Sequence, residues 1–178
     1  MDTIRMNSED MSCTAGTLRA GEKVLLSGPV FTARDAAHKR IFAMLDRGEE
    51  PPFPLSGATV YYAGPTPTPP GRPIGSCGPT TSARMDGYTP RLLSLGLKGM
   101  IGKGNRSQAV VDAIRRSGAV YLCAIGGAGA LAAKCVTSLE VIAFEDLGCE
   151  SVKKLIVRDF PLLVAIDCHG GSLFEAPV

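Results

Sequence analysis

The sequence predicts a single α/β domain in which helices flank a mixed β-sheet. Its 178 residues are the length of one domain. In the second half, short apolar runs alternate with segments whose apolar residues recur at helical spacing. Near the C-terminus, two apolar runs follow each other with no helix between them. Strands that alternate with helices pair in parallel and directly connected strands pair antiparallel, so the sheet should contain both kinds of pair.

The first half contains two predicted strands, two predicted helices and a proline-rich loop. Residues 1–17 are polar and show no periodicity, so we expect a poorly ordered tail before a domain that spans residues 18–178. The first helix should have Thr32 as its N-cap and Asp35 in its first turn. In chain order, the predictions are a strand at 24–31, a helix ending at Gly48, a strand at 59–63, the loop at 64–73, and a helix that begins at Thr89 and ends at Gly96.

The proline-rich loop at 64–73 has proline at five of its ten positions. Proline lacks a backbone N–H and has a fixed φ, so this segment should run extended over the surface rather than join a sheet or helix. It is either a spacer between two elements or a rigid flap over a site. The sequence leaves both interpretations open.

The second half of the chain is predicted to alternate between strands and helices. A helix at 107–117 places Val110, Val111 and Ile114 on one face. A glycine-rich segment at 126–129 leads into a short helix that ends at residue 133. The predicted strands are 99–102, 119–125, 139–144, 153–157, 162–167 and 172–175. Of these, 153–157 and 162–167 are the expected closing pair of adjacent strands.

Composition and charge argue against several classes of partner. The net charge of +2 is too small to indicate a nucleic-acid or membrane surface, and ten aromatic residues without tryptophan provide few platforms for base stacking. No apolar run approaches the length of a membrane span, and residues 1–15 lack the apolar core of a signal peptide. The sequence therefore predicts a cytoplasmic protein that binds neither nucleic acid nor membrane.

Six cysteines are present, and their spacing forms no local metal-binding motif. They stand at positions 13, 77, 123, 135, 149 and 168. A disulfide framework is not expected in a cytosolic domain of this size. We therefore predict that the chain alone holds neither a metal ion nor an iron–sulfur cluster.

The segment 78–86, with the sequence GPTTSARMD, carries the densest group of anion-binding residue types, and we call it the signature segment. It combines three hydroxyl groups and an arginine at a predicted entry from a loop into a helix. Unpaired N–H groups and the helix dipole favour anions at such a junction, and an arginine fork suits a carboxylate or phosphate. Similar junctions occur at 32–35 (TARD) and 102–107 (GKGNRS). Three cationic loops predict a site for a small polyanion.

Five motifs in a consistent order resemble the β component, or C-terminal domain, of class I iron–sulfur fumarate hydratases and L-tartrate dehydratases. The motifs are RDAAH at 34–38, the signature segment, GKGNRS at 102–107, GGAGAL leading to Lys134, and FEDLGCES followed by RDFP and a strand ending in Asp167. The similarity extends from about residue 18 to residue 175. The chain departs from the family's pattern at Ser82-Ala83, where the family has Ala-Gly, and at His169, where it has lysine.

The resemblance implies a swivelling β/β/α domain that forms half of an active site. It implies a partner α component carrying a four-iron, four-sulfur cluster, and a dimer of such αβ pairs. The substrate would be a dicarboxylate, and the reaction would be the interconversion of fumarate and (S)-malate by a hydro-lyase that is active only with its α partner.

By the same resemblance, the cationic loops supply the residues that bind and convert the substrate. Arg84 would clamp one carboxylate with two hydrogen bonds, and Lys103 would add a compact charge. Thr80 matches the residue assigned as the base in the family, but a free hydroxyl is a poor base, so it acts either as an alkoxide or relay or by hydrogen-bonding substrate. The set is Thr80 and Lys103 in catalysis, Arg34, Thr81, Arg84 and Asn105 in substrate binding, and His38, Asp86 and Glu145 in support.

Several of these residues have a second interpretation. Asn105 either hydrogen-bonds a substrate oxygen or caps the following helix. His38 either supports the site or lies on a helix surface. Asp86 and Glu145 are predicted to orient the cations of the site.

Two other functions are compatible with the same residues. L-Tartrate dehydratase would use the same kind of cluster and clamp, and no residue in the sequence decides between the two substrates. A non-catalytic subunit that binds carboxylates or directs assembly is the second alternative. The combination of Thr80, Arg84 and Lys103 favours an enzyme over this alternative.

Overall fold

The structure is a computed structural model that describes residues 3–124 and 129–174. The strands are β1 (Ile4–Asn7), β2 (Lys23–Thr32), β3 (Thr59–Tyr61), β4 (Gly99–Gly102), β5 (Val120–Ala124), β6 (Val136–Ala143) and β7 (Val152–Ile166). The α-helices are α1 (Met11–Thr14), α2 (Asp35–Asp46), α3 (Thr89–Ser94), α4 (Gln108–Ser117) and α5 (Gly129–Lys134). Short 3₁₀ helices lie at Ser8–Asp10, Ala15–Thr17, Ser82–Met85 and Glu145–Glu150.

The strands form one mixed sheet, as the sequence predicts. Their order is β1-β2-β3-β4-β5-β7-β6, and β7 pairs with β2 as well. The pairs between β1 and β2, β2 and β3, β3 and β4, and β4 and β5 are parallel. Strand β7 runs antiparallel to β2, β5 and β6. Because β7 pairs with both β2 and β5, the strands β2, β3, β4, β5 and β7 close into a ring.

The closing pair of strands predicted at 153–157 and 162–167 is a single strand, so that prediction is wrong. Strand β7 has 15 residues and continues through the polar residues Arg158 and Asp159. Asp159 has a φ of 48°, and this local bend lies where the partners change. The first half of β7 pairs with β6 and β2, and the second half pairs with β2 and β5. The two polar residues interrupt the apolar pattern without ending the strand.

The prediction of a poorly ordered tail over residues 1–17 is wrong for residues 3–17, which the structure describes. Strand β1 pairs in parallel with β2, from Ile4 against Val24 to Asn7 against Ser27. Met11 and Ala15 are fully buried in the core. The segment consists of a four-residue strand and single-turn helices. Each of these elements is too short to produce a recognisable hydrophobic period, so the sequence pattern does not reveal the packing.

The N-cap of helix α2 lies two residues later than the proposed Thr32 cap. Thr32 stays in β2, where its buried hydroxyl accepts the N–H of Lys153 at 3.1 Å, and Arg34 takes the N-cap position. The first turn is capped instead from across the fold, because the Glu150 carboxylate accepts the N–H of Ala36 at 2.9 Å. Sheet pairing therefore prevails over the local capping preference of threonine.

Two hydrophobic clusters lie on opposite sides of the ring wall. All five ring strands contribute to the first, which fills the ring interior, with Val24, Leu26, Val30, Tyr61, Ile101, Leu122, Leu155 and Val164 among its members. The second packs α2, α3 and α4 against the outside, with Ala37, Ile41, Leu92, Val110 and Ile114 against Val60, Met100 and Ala165. The ring therefore has an apolar core on both faces, and its central parallel strands β3, β4 and β5 are buried along almost their whole length.

The closed ring gathers the loops that carry the predicted site residues. Parallel strands β2, β3, β4 and β5 all end at one rim, and the segments at 33–35, 62–64 and 103–107 follow the first three of them. Ligands of open α/β sheets bind outside the carboxyl ends of such strands. The segment after β5, predicted as the end of a strand and a glycine-rich turn, lies at 125–128, outside the described residues. The predicted last strand at 172–175 is reduced to one bridge between Ile166 and Ser172 within the part that is described.

A buried carboxylate fixes the turn after β7. Asp167 accepts the N–H groups of Ala20, His169 and Gly171 at 2.8–2.9 Å. Burial acts to raise the pKa of this carboxyl, but the three hydrogen bonds prevail, and its pKa lies below the usual value for aspartate. The ionised form is therefore the one that stabilises the fold.

We predict that Asp167→Asn lowers the free energy of unfolding at pH 7 by about 1–3 kcal/mol, because an amide cannot accept all three N–H groups. Since the folded pKa is depressed, the contribution is present above the unfolded pKa of about 4 and is lost as pH falls through the folded pKa. Urea unfolding at pH 7 and below pH 4 measures this, with the exposed Asp10→Asn as the control. Equal stability of Asp167→Asn and the parent at pH 7 would contradict the assignment.

Candidate functional site

The signature segment runs along the rim formed by the carboxyl ends of the parallel strands. Pro79 forms an antiparallel bridge with Ala63 after β3, and Thr81 forms a parallel bridge with Lys103 after β4. Just upstream, the N–H of Cys77 donates to the carbonyl of Gly129 at 3.0 Å. The segment thus connects the loops after two strands with the start of α5, and it brings Thr80 and Thr81 next to Lys103.

The predicted anion site at a helix N-terminus is not formed in the signature segment. The segment ends in the four-residue 3₁₀ helix Ser82–Met85, whereas the sequence predicts an entry into a longer helix. The N–H groups of Thr80, Ser82 and Arg84 donate to Tyr62, Lys103 and Thr81 carbonyls at 2.7, 2.9 and 3.4 Å. These donors are occupied within the chain, so side chains must provide the contacts to any anion.

Arg34 and Arg84 meet on one carboxylate. Arg84 Nε donates to Asp35 Oδ1 at 3.0 Å, and a terminal nitrogen of Arg34 lies 4.0 Å from Asp35 Oδ2. The same nitrogen of Arg34 lies 3.3 Å from Glu150 Oε1. The side chain of Arg84 is half exposed, whereas that of Arg34 is mostly buried. The structure therefore places the two predicted arginines in one patch, one of them held firmly and the other free to move.

Two buried polar atoms in this patch have no hydrogen-bond partner among the described residues. They are Arg34 Nε and Asp35 Oδ2. Buried polar atoms of folded proteins are nearly always paired, so an unpaired guanidinium N–H is a place for an acceptor from outside the chain. The atom is itself shielded from solvent, so an outside acceptor would reach it only after a local rearrangement.

The third cation, Lys103, lies on the loop after β4, which is bridged to the signature segment at Thr81. The side chain of Lys103 is exposed, and its backbone N–H donates to Ser82 Oγ at 3.1 Å. Within the ranges 3–124 and 129–174, its ammonium group makes no ion pair. Thr80 is half-buried and Thr81 is exposed. Asn105 is exposed and its side chain accepts the N–H of Arg106 at 2.7 Å, so it orders its own loop, while Ser107 is the N-cap of α4.

Close backbone approach explains two glycines at the rim. A Cβ at Gly102 would overlap Ser82 Oγ, and a Cβ at Gly64 would lie 3.1 Å from Arg34 Cδ and from the carbonyl of Cys149. Only a residue without a side chain lets the signature segment and Arg34 lie this close to the strand ends.

Among the described residues, neither Asp86 nor Glu145 forms a direct contact with Arg84 or Lys103. Asp86 pairs with the buried Arg106 at 2.7 Å, not with a cation of the site. Glu145 is exposed, and no hydrogen bond of its side chain occurs in the described part of the chain. Asp35 and Glu150 hold the arginines instead. Asp35 directly follows Arg34 in the RDAAH motif, which is a local signal, but nothing in the sequence connects Glu150 with α2.

His38 lies inside the fold, so the alternative of a helix-surface histidine is wrong. Its ring packs against Tyr62 and Tyr88 with centroids 5.7 and 5.4 Å apart, and Nδ1 lies 2.8 Å from the carbonyl of Arg34. A carbonyl only accepts, so Nδ1 carries the proton. Burial lowers the pKa of His38 to about 4, which keeps the ring neutral at pH 7. His38 supports the backbone from which the Arg34 side chain extends.

Arg106 is the residue of the site region to which the sequence assigned no role. Its side chain is fully buried, and it contacts Asp86, Thr89, Tyr62 and Tyr121. The GKGNRS motif contains it, but exposed basic residues are far more common than buried ones, so the motif alone gives no reason to expect its burial.

The described residues contain no group of three or more histidine, cysteine, aspartate or glutamate side chains that could hold a metal ion. The six cysteines are free, and burial raises the pKa of the Cys77 thiol to about 12. The donor set of this part of the chain therefore does not fit an iron–sulfur cluster. No helix in the described ranges has both the length and the apolarity that crossing a membrane requires.

The chain is similar to several proteins with assigned names. It is 42% identical over 155 residues to "Fumarate hydratase class I, anaerobic" of Escherichia coli, covering 86% of this chain and 28% of that protein. It is 42% identical over 157 residues to "Fumarate hydratase 2" of Leishmania major, covering 87% of this chain and 28% of that protein. The chain thus spans little more than a quarter of the length of these two relatives.

A third relative is similar in size to this chain. It is the Methanocaldococcus jannaschii protein named "Putative L(+)-tartrate dehydratase subunit beta", which is 38% identical over 168 residues, covering 89% of this chain and 84% of that protein. The family model described as Fumarase C-terminus matches residues 1–177. The chain belongs to the fumarase C-terminus family.

Proposed function

We propose that the chain is the β component of a hydro-lyase that interconverts fumarate and (S)-malate in a site shared with a cluster-bearing α component. The observation that carries the proposal is the meeting of Arg34 and Arg84 on Asp35, with Lys103 on the adjacent loop. Three cations at one rim suit a substrate with two carboxylates. The proposal also draws on the names of the relatives, which are fumarate hydratases and a tartrate dehydratase subunit.

The chemistry of the reaction explains why cations are needed. Removal of a proton next to a carboxylate produces an enediolate-like species with extra negative charge on that carboxylate. Fixed positive groups stabilise this species more than the substrate, and they therefore lower the barrier. When bound by the α component, the cluster would supply a Lewis acid for the departing hydroxyl.

Arg84 is the residue that meets a substrate carboxylate in this proposal. Asp35 uses only its Nε, so both terminal nitrogens remain for a bidentate contact. Its ion pair with Asp35 is half exposed, and exposed pairs contribute about 0–1 kcal/mol. Substrate can therefore draw Arg84 away from Asp35 at little cost.

Arg34 forms the fixed part of the clamp. Glu150, His38 and Gly64 hold its side chain and its backbone in place, and its Nε is an unused donor. A group that is already oriented loses little entropy when it binds substrate. Arg34 therefore presents a preoriented positive charge to the second carboxylate or to a group of the α component.

Thr80 remains with two candidate roles in the proposal. Its half-buried position next to Lys103 lets its hydroxyl reach a ligand at the rim. The hydroxyl either hydrogen-bonds substrate or, as an alkoxide stabilised by a nearby cation, removes the proton. Thr80→Ser retains the hydroxyl and Thr80→Val does not, so this pair of variants separates a hydroxyl role from packing.

The second candidate function is L-tartrate dehydration. The observation that favours it is the match to a tartrate dehydratase subunit beta over 84% of that protein's length, compared with 28% for the fumarate hydratases. It uses the same cations for the same purpose, since tartrate is also a dicarboxylate with a leaving hydroxyl.

We predict that Arg84→Ala and Lys103→Ala each lower kcat/KM for malate at least about thirtyfold in the complex with the α component. Each removes a charge-assisted contact to the transition state, worth roughly 2–5 kcal/mol. Steady-state kinetics measure this, and Arg91→Ala is the control, because Arg91 pairs with Asp46 on the helical side of the fold. The clamp model would be wrong if kcat/KM for malate stayed within threefold of the parent value in both site variants.

We predict that the chain purified without a partner is colourless and inactive, and that it binds malate with a dissociation constant of about 1 mM or weaker. Its two arginines are already neutralised by Asp35 and Glu150, so the isolated chain has little charge left to attract a dianion. Calorimetric titration and visible absorbance test these expectations. Micromolar binding would favour a carboxylate-binding module, and iron–sulfur absorbance would contradict the division of the site between two components.

We predict that anaerobic co-purification with the α component and reconstitution of the cluster yield activity. Assays with malate, fumarate and both tartrate enantiomers then separate the two candidate reactions. Fumarate and malate turnover is the expected result. Exclusive turnover of L-tartrate would replace the first candidate by the second without changing the roles of the cations.

A further inference from the structure

Apart from Arg34, the predicted catalytic and substrate-binding residues lie on two segments whose relative position has to be maintained. The signature segment carries Thr80, Thr81 and Arg84, and the loop at 102–107 carries Lys103 and Asn105. A dicarboxylate fixes the distance between its own charges, so the separation of Arg84 and Lys103 determines whether both can act together. The groups that join the two segments therefore affect how the site binds its substrate.

Arg106 lies at this junction. Its side chain is fully buried, Nε donates to Asp86 Oδ1 at 2.7 Å, and a terminal nitrogen donates to Thr89 Oγ1 at 2.7 Å. The second oxygen of Asp86 accepts the backbone N–H of Ser107 at 2.6 Å. One carboxylate at the end of the signature segment thus binds both the side chain and the backbone of the neighbouring loop.

Two tyrosines enclose the guanidinium group. The centroids of the Tyr62 and Tyr121 rings lie 5.3 and 5.0 Å from Arg106 Cζ, which is within the range of cation–π contacts. Tyr62 directly follows β3, and Tyr121 lies in β5. Arg106 is therefore packed against the rim on both sides, and it cannot shift without displacing strand-anchored rings.

The same cluster fixes the backbone of Lys103. Tyr121 Oη lies 2.8 Å from both the carbonyl of Gly104 and Ser82 Oγ. Both atoms are acceptors for the tyrosine hydroxyl, which directs its proton towards the loop at 102–107 and towards Ser82. Ser82 Oγ then accepts the N–H of Lys103 at 3.1 Å, and the hydrogen bonds of this chain are all satisfied.

Stability does not account for this arrangement. Removing a guanidinium and a carboxylate from water carries a desolvation cost that the pair barely recovers, and apolar residues of similar volume are often as stable or more so. We propose that Arg106 is a positioning residue that holds Arg84 and Lys103 at the separation that a dicarboxylate requires. This inference rests on the proposed function, because it assigns those two cations to one substrate.

The geometry of the contacts requires arginine. The guanidinium of Arg106 is planar and has donors in fixed directions. It hydrogen-bonds Asp86 and Thr89 and at the same time contacts the rings of Tyr62 and Tyr121. A lysine has the same charge, but all its donors leave one nitrogen, so it lacks the two separate donor atoms and the planar face that Arg106 uses here. Arg106→Lys therefore retains the charge and removes the geometry.

The test compares Arg106→Lys, the apolar double variant Asp86→Leu/Arg106→Met and the control Arg91→Lys, each in complex with the α component. Arg91 also pairs with an aspartate and lies over an aromatic ring, Phe42, but outside the site. The measurements are the Tm, kcat and KM for malate per assembled complex, and the Cα separation of residues 84 and 103 in a crystal structure of the variant chain.

For Arg106→Lys, we expect kcat to fall at least about tenfold, KM to change less than threefold, and the separation to change by more than about 0.5 Å. The double variant should fold and show the same decrease in kcat. The control Arg91→Lys should have the kcat, the KM and the Cα separation of the parent. A merely structural role would lower Tm and the yield of complex but leave kcat per complex unchanged.

Either a kcat of Arg106→Lys within threefold of the parent or an unchanged separation overturns the inference, whatever the other measurement shows. A parent complex that is inactive with every dicarboxylate counts against the proposed function instead. In that case the crystallographic separation still decides whether Arg106 sets the spacing of the two cations.

Discussion

The antiparallel pairing of β7 with β2 and β5 is the constraint on which the rest of the structure depends. Without it, β2 to β5 would form an open parallel sheet whose ends diverge with the twist. With it, the strands close into a ring with an apolar interior, and their carboxyl ends lie around one rim. Every cation of the candidate site follows one of these ends or lies on the segment bridged to them. The chemistry at the rim is therefore a consequence of ring closure.

Local sequence patterns predicted the elements whose boundaries depend on local signals. Strand β4 was predicted at its observed bounds, and α4 within one residue of its start, because glycines and an N-cap serine mark their ends. The N-terminal segment and β7 were mispredicted for a different reason. Met11 is buried by contacts distant in sequence, and the polar pair in the middle of β7 is tolerated only because the strand bends there while exchanging partners. Neither circumstance can be inferred from a periodicity.

The same distinction applies to the site. Residue type and motif indicated the cations Arg34, Arg84 and Lys103, because three cationic loops matched three motifs of one family. The carboxylates that hold them were not predictable, because Glu150 reaches α2 across more than one hundred residues of chain. The burial of Arg106 was not predictable from the sequence either. Whether an arginine is buried depends on the partners that the fold brings to it, and Asp86, Thr89, Tyr62 and Tyr121 all lie outside the loop of Arg106.

Charge balance gives a physical reason for dividing such a site between two components. The rim group contains three positive charges, on Arg34, Arg84 and Lys103, and two negative ones, on Asp35 and Glu150, so its net charge is +1. The carboxylates orient the two arginines and compensate their charge. The remaining net charge of +1 is too small to hold a dianion in water. Enclosure by a second component would exclude water and strengthen every remaining electrostatic contact. A half-site that is nearly neutral when open and strongly binding when closed needs its partner for affinity as well as for catalysis.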